Sequence, residues 1–212
     1  MKHIIWDFNG TLLNDAQLSV DADNAVFSQL GLPSITIDDY RRHMTMPVRD
    51  FYTALGIDLT VHTYDTISRI WLDIFNAGAL DAGLVPGMLD VVRRLHAQGR
   101  TQSVLSASYE PSLRGQCDAL GLTPYMLSID GQENENSERK TAIGHRQLER
   151  LGLRGEDTVL VGDLTTDEEL ARELGAACVL GPWGHNSLER LSACGCPVAH
   201  SAKELEETLS KI

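Results

Sequence analysis

The chain has 212 residues, 42% hydrophobic and 23% charged, the balance of a globular protein long enough to bury an ample core. Its net charge of −12 and pI near 4.9 argue against a nucleic-acid surface, which needs a basic stripe, and against an anionic membrane surface. A small anionic substrate stays compatible, because a local pocket can be positive on an acidic protein.

The first element is read at residues 3–7, an apolar run that ends in Asp7 and turns at Gly10. Such a run reads as a buried strand. Asp7 then stands at the C-terminal end of a strand, and open α/β sheets bind ligands in the crevice outside those ends. A carboxylate there can act as a nucleophile and form an aspartyl-phosphate. Gly10 lets the backbone approach a phosphate, and its N–H and that of Thr11 can line the pocket.

Between residues 13 and 85 the chain shows no clear strand, and helical periodicity recurs at 16–30, 37–55 and 64–76. This stretch reads as a helical insertion that returns through Leu84-Val85-Pro86-Gly87. Within it, Arg41, Arg42, His43 and Arg49 gather around Pro47. Arg41 and Arg42 suit a solvated helix face, and His43 suits a structural role. Arg49, just past the proline, is the candidate to grip a distal carboxylate or phosphate of a substrate bidentately.

Beyond the insertion, strand and helix signals alternate, as in a parallel α/β sheet. Strands are expected at 101–106, 125–130, 158–162 and 176–180, and helices at 87–98, 111–120, 139–151 and 167–174. Gly99, Gly121, Gly152 and Gly175 sit where helix C-terminal caps belong. The polar run 132–138 reads as an exposed loop. The expected architecture is α/β: a Rossmann-like parallel sheet core of about five strands, residues 1–14 and 85–212, with an inserted all-helical cap domain at 15–84.

Three further places in this half carry candidate chemistry. Ser106 ends an apolar strand and offers a hydroxyl to a phosphoryl oxygen, or else starts the next helix as its cap, with Ser103 and Ser108 as weaker candidates for the same role. Lys140 is the only lysine between Lys2 and Lys203 and falls in the first turn of a helix. The macrodipole disfavours a cation there, which points to a specific anionic partner. The third place is the strand ending in Gly162-Asp163, with Asp167 at the next helix start. Two acidic groups beside Asp7 would repel in a low-dielectric crevice unless a cation were present. Hard oxygen ligands and a phosphate substrate fit Mg²⁺.

Asp7-Phe8-Asn9-Gly10-Thr11-Leu12, Ser106, Lys140 and Gly162-Asp163…Asp167, in this order, resemble the four motifs of the haloacid dehalogenase (HAD) superfamily. The resemblance covers the entire chain, helical insertion included, and is greatest to the phosphoglycolate phosphatase-like branch. Gly181-Pro182-Trp183-Gly184 resembles the Trp-Gly segment after that branch's last strand, with His185 beside it as a lesser candidate for the site mouth. The resemblance implies a phosphatase in which Asp7 is nucleophile and Mg²⁺ ligand. The Asn9 carbonyl and Asp163 would be further ligands, with Asp167 orienting groups around the metal. Ser106, Ala107 and Lys140 would hold the phosphoryl group, and the partner would be a small phosphorylated metabolite.

Asn9 departs from the family pattern, which carries a second Asp there as general acid and base. An amide cannot transfer that proton, and losing such a group costs about 10²–10⁴ in rate. Three expectations follow: an enzyme for phosphates with good leaving groups, a slow phosphatase or phosphotransferase, or a phosphate-binding regulatory protein. Phosphonatase chemistry is disfavoured because the insertion contains no lysine, and dehalogenase chemistry because it would not need the Asp163/Asp167 pair. Asp7 interrupts the only early apolar run, so no secretory leader is expected. The four cysteines show no metal-type spacing, so buried thiols in a reducing cytoplasm are expected.

Overall fold

The computed structural model describes residues 2–133 and 140–212. Most of the loop expected at 132–138, and the expected helix start at residue 139, lie outside that range. Five strands form one parallel sheet: β1 (His3–Trp6), β2 (Gln102–Tyr109), β3 (Ser128–Gln132), β4 (Thr158–Gly162) and β5 (Ala177–Leu180), in the order β3-β2-β1-β4-β5. Every residue of β1 and β4 is buried, which is why both read as continuous apolar runs rather than alternating ones.

Side chains alternate between two packed faces. Ile4, Trp6, Val104, Val159, Val161 and Val179 meet helices α5 (Met88–Ala97), α6 (Glu110–Ala119) and α10 (Ala202–Leu209) on one face. Ile5, Leu105, Leu160, Cys178 and Leu180 meet α7 (Lys140–Leu151) and α8 (Thr165–Leu174) on the other. The glycines expected at the ends of α5, α6, α7 and α8 all lie at positive φ.

The insertion holds α1 (Ala16–Leu30), α2 (Ile37–His43), α3 (Val48–Ala54) and α4 (Tyr64–Ala82). Val20, Val26, Phe27, Tyr40, Phe51, Tyr52 and Ile67 give it a hydrophobic cluster separate from those of the sheet. The single helix expected at 37–55 is two, because Pro47 lacks an N–H and biases Met46 away from helical backbone. The helix expected at 64–76 runs on to Ala82. The strand expected at 125–130 starts later, at Ser128, because Pro124 sits in a short 3₁₀ turn, Thr123–Tyr125. A short helix α9 (Leu188–Ser192) follows β5. Among the described residues, no helix is long and apolar enough to cross a membrane.

Candidate active site

The chain leaves β1 at Asp7, whose N–H still bonds the Val161 carbonyl at 2.9 Å and so fixes its place beside β4. It then turns back on itself: the Phe8 carbonyl accepts from the Leu12 and Leu13 N–H groups, both at 2.9 Å. Gly10 makes this turn at φ +72°, and a Cβ there would run into the Asp163 carboxylate and the His185 ring. A Cβ on Gly184 would meet Asp163 as well. Two glycines therefore let two loops close on one carboxylate.

Asp163 follows the last residue of β4 and is fully buried. Asp167, in the first turn of α8, turns Oδ2 back to accept from the Asp163 and Leu164 N–H groups at 3.1 and 3.0 Å. Lys140, the first residue of α7, donates from Nζ to Asp7 Oδ1 at 2.5 Å and to Asp167 Oδ1 at 2.7 Å. Thr11 Oγ1 donates to Asp163 Oδ1 at 2.8 Å. Ligand atoms of Asp7, Asp163 and Asp167 all lie within 4.8 Å of one another.

The electrostatics of this cluster are unbalanced. Burial pushes the Asp7 carboxyl up to about 6, against the pull of the Lys140 ammonium. Burial likewise raises Asp163 to about 8, against the pull of His185. Burial disfavours the Lys140 cation, yet Asp167 and Asp7 hold its pKa above the ordinary lysine value. Three carboxylates face one ammonium, so the cluster retains negative charge whenever the acids ionise. Close-set hard oxygen donors of that charge are the donor set a divalent cation such as Mg²⁺ takes.

The amide of Asn9 is held at both ends: Nδ2 donates to Asp15 Oδ2 at 2.7 Å, and Oδ1 accepts from the Ser108 hydroxyl at 2.8 Å. Ser106 Oγ accepts from the Ser108 N–H and donates to Ser108 Oγ, both at 3.1 Å, with Ala107 inside this turn. Ser106 is thus tied to Asn9 through Ser108. Arg49 stands elsewhere: its guanidinium lies 4.6 Å from the centre of the Tyr64 ring and 4.0 Å from Asp65, and its side chain is 60% exposed. Among the described contacts, none joins it to the acidic cluster.

Asp15 and Tyr40 were not legible as members of this neighbourhood, and Ser108 only as a weaker alternative to Ser106. Asp15 precedes α1 in the place of an N-cap, yet makes no capping bond and turns its carboxylate to Asn9 and Gly10 instead. His185 is not at a mouth: it is 5% exposed, its Nε2 lies 3.4 Å from Asp15 Oδ1, and its N–H donates to Asp163 Oδ2 at 2.6 Å. Burial opposes its charge, but Asp15 and Asp163 hold the imidazole up to about 9.

Residues 4–180 match the family model described as haloacid dehalogenase-like hydrolase. The chain is 25% identical to the phosphoglycolate phosphatase of Synechococcus elongatus, over 93% of this chain and 91% of that one. It is also 25% identical to the phosphoglycolate phosphatase of Mesorhizobium japonicum, over 86% and 83%. A haloacid dehalogenase-like family hydrolase from Streptococcus pneumoniae shares the fold, with TM-score 0.82 at 21% identity over 99% of this chain and 98% of that one. With the match spanning the sheet and the insertion alike, the chain belongs to the haloacid dehalogenase-like hydrolase family, in its phosphoglycolate phosphatase-like branch.

Proposed function

We propose that this chain hydrolyses a small phosphomonoester through an aspartyl-phosphate on Asp7, with helices α1–α4 (residues 15–84) as a cap on a core of residues 1–14 and 85–212. The observation that carries the reading is the buried cluster of Asp7, Asp163 and Asp167 around the Lys140 ammonium. Lys140 engages Asp7 Oδ1 and Thr11 lies 3.4 Å from Oδ2; the Phe8 N–H also bonds this carboxylate, whose two oxygens together keep a lone pair for phosphorus. Attack by Asp7 forms the acyl-phosphate bond as the ester P–O bond breaks, and the leaving group departs as its oxyanion, which takes its proton from solvent. Water then attacks phosphorus, which frees Asp7 and inorganic phosphate.

Asp7, Asp163, Asp167 and the Asn9 carbonyl are the groups that would hold Mg²⁺. When bound, the ion supplies charge neutralisation between an anionic nucleophile and an anionic phosphate. Lys140 adds a point charge for the transferring phosphoryl group. Ser106 and Ala107 would bind its oxygens, and Arg49 the substrate's distal anionic group; the Gly10 and Thr11 N–H groups, expected to line the phosphate pocket, are given instead to Asp15 Oδ1 at 2.6 Å and the Phe8 carbonyl at 3.3 Å. Asn9 has no proton to exchange, and its partners Asp15 and Ser108 hold the amide in place. That favours substrates whose leaving group departs without protonation, or a slow dephosphorylation step.

The test is turnover of p-nitrophenyl phosphate and of 2-phosphoglycolate, with Mg²⁺ and with EDTA. Activity is expected with Mg²⁺ and is expected to fall below about 1% of that in EDTA. Equal turnover in EDTA would sink the metal-dependent reading. Phosphate binding without turnover of any phosphomonoester would favour a regulatory phosphate-binding protein.

A further inference from the structure

We infer that Asp15, His185 and Tyr40 form a buried positioning strut, which fixes the Asn9 amide and the Gly10 N–H and makes their placement depend on the docking of α2. The functional arm of this inference rests on the phosphatase reading; the structural arm stands without it.

Asp15 is 1% exposed, and its carboxylate needs donors at that depth. It receives the Gly10 N–H on Oδ1 at 2.6 Å and the Asn9 amide on Oδ2 at 2.7 Å, with His185 Nε2 3.4 Å from Oδ1. This sets the orientation of Asn9. A flipped amide would point its oxygen at a carboxylate that has no hydrogen to give. Asn9 and Asp15 are therefore a matched donor and acceptor, and an aspartate at position 9 would break the match.

His185 carries the strut outward. Its Nδ1 and the Tyr40 hydroxyl are 3.0 Å apart, and the two rings pack edge to face with centroids 5.7 Å apart. Tyr40 lies on α2 and packs against Phe51 of α3 with centroids 5.3 Å apart. The loop bearing His185 makes four more bonds to the same helix and its C-cap residue, Met44. Arg41 donates to the Trp183 and Gly184 carbonyls, each at 2.9 Å, the Ser187 N–H donates to the Arg41 carbonyl at 3.2 Å, and Asn186 Nδ2 donates to the Met44 carbonyl at 2.8 Å. A shift of α2 thus draws His185 with it, and His185 is the link between α2 and the carboxylate that holds Asn9 and Gly10.

These are positioning residues, and the test reads position as well as rate. Amide hydrogen exchange at Gly10 is compared in wild type, Tyr40→Phe, His185→Gln and Asp15→Asn, with the β4 amides as the internal control for global stability. Exchange at Gly10 is expected to quicken about three- to tenfold in Tyr40→Phe and His185→Gln, and about 10- to 100-fold in Asp15→Asn, with β4 unchanged. In the Mg²⁺-loaded enzyme, kcat is expected to fall by matching factors while KM stays within about twofold. Gly10 exchange equal to wild type in both Tyr40→Phe and His185→Gln would overturn the strut. Should β4 exchange quicken as well, Tyr40→Phe, which removes one hydroxyl, alone decides. Faster Gly10 exchange in a protein that hydrolyses nothing would uphold the strut and reject the phosphatase reading.

Discussion

At the C-terminal ends of the strands, Asp7, Asp163 and Asp167 are buried together around the Lys140 ammonium. At the N-terminal ends, His3, Ser103 and Gln147 are also buried, but as neutral groups. His3 Nε2 lies 2.8 Å from Ser103 Oγ, and Ser103 donates to Gln147 Oε1 at 3.0 Å. Because the Ser103 hydrogen goes to Gln147, that hydroxyl accepts from His3, which places the imidazole proton on Nε2. Burial, with the Arg100 charge behind it, lowers His3 to about 4 and keeps it neutral. One sheet thus holds a buried, neutral hydrogen-bonded chain at one end, which Gln147 ties to the Asp130–Arg150 ion pair, and unbalanced charge at the other. The neutral end holds the fold, whereas the charged end strains it and can be explained by a ligand that supplies positive charge.

Substitutions should separate the two ends. The largest effect is expected from Asp7→Asn, which should cut phosphatase turnover to below about 1% of wild type. Its melting temperature at pH 8 should not fall, because burial already disfavours the Asp7 charge. Calorimetry showing a marked loss of stability would put Asp7 among the groups that hold the fold. Next in size is the effect expected of placing a carboxyl at position 9. Asn9→Asp combined with Asp15→Asn keeps a hydrogen bond between the two positions with donor and acceptor exchanged. It should raise alkyl-phosphate turnover about ten- to a thousand-fold. Asn9→Asp alone should gain less, since the new carboxylate would face Asp15 across the 2.7 Å contact the amide now makes. A single variant that matches the pair in steady-state turnover would show that Asp15 does not govern this position.

At the neutral end the readout is stability. The native state holds His3 neutral down to about 4, whereas the unfolded chain protonates it near 6.5. The unfolded state therefore binds more protons in that window, and stability falls as pH falls from 6.5 toward 4. The contribution is roughly 3 kcal/mol. His3→Gln should flatten the curve of melting temperature against pH there and leave turnover at pH 7.5 unchanged. An identical slope in the variant would show that His3 is not the group responsible. The smallest effect is expected from Arg49→Ala. It should raise KM a few-fold for a substrate with a second anionic group and less for p-nitrophenyl phosphate. Equal changes for both would assign Arg49 to packing on Tyr64, where its guanidinium lies.

The charged end was the more legible of the two. Asp7 and Asp163 follow apolar runs that any parallel sheet must bury, and Lys140 stood out because a helix start repels a cation. The reach of β2 to Tyr109, which carries Ser108 next to Asn9, had no such signal, because its last residues lack an apolar run. Asp15 was hidden by its own chemistry: an aspartate before a helix satisfies the capping rule whether or not it caps. His185 and Tyr40 meet across 145 residues of chain, and no local periodicity encodes such a pair. The same holds at the neutral end, where His3 and Ser103 are 100 residues apart.

The central place of β1 in the sheet bears on how the protein is made. Its neighbours are β2, paired through Gln102, and β4, paired through Thr158. Until Gln102 and the residues after it are made, Ile4-Ile5-Trp6 lacks both strands it pairs with and is an apolar template for wrong partners. The helices of residues 16–82, with a cluster of their own, can collapse in that interval. At about 5–20 residues per second, synthesis from Gln102 to Thr158 takes roughly 3–11 s, and β1 has one open edge throughout. Slower synthesis over that stretch is expected to lower the share of chains in which Asp7 and Asp163 meet, and a chaperone that shields β1 to raise it.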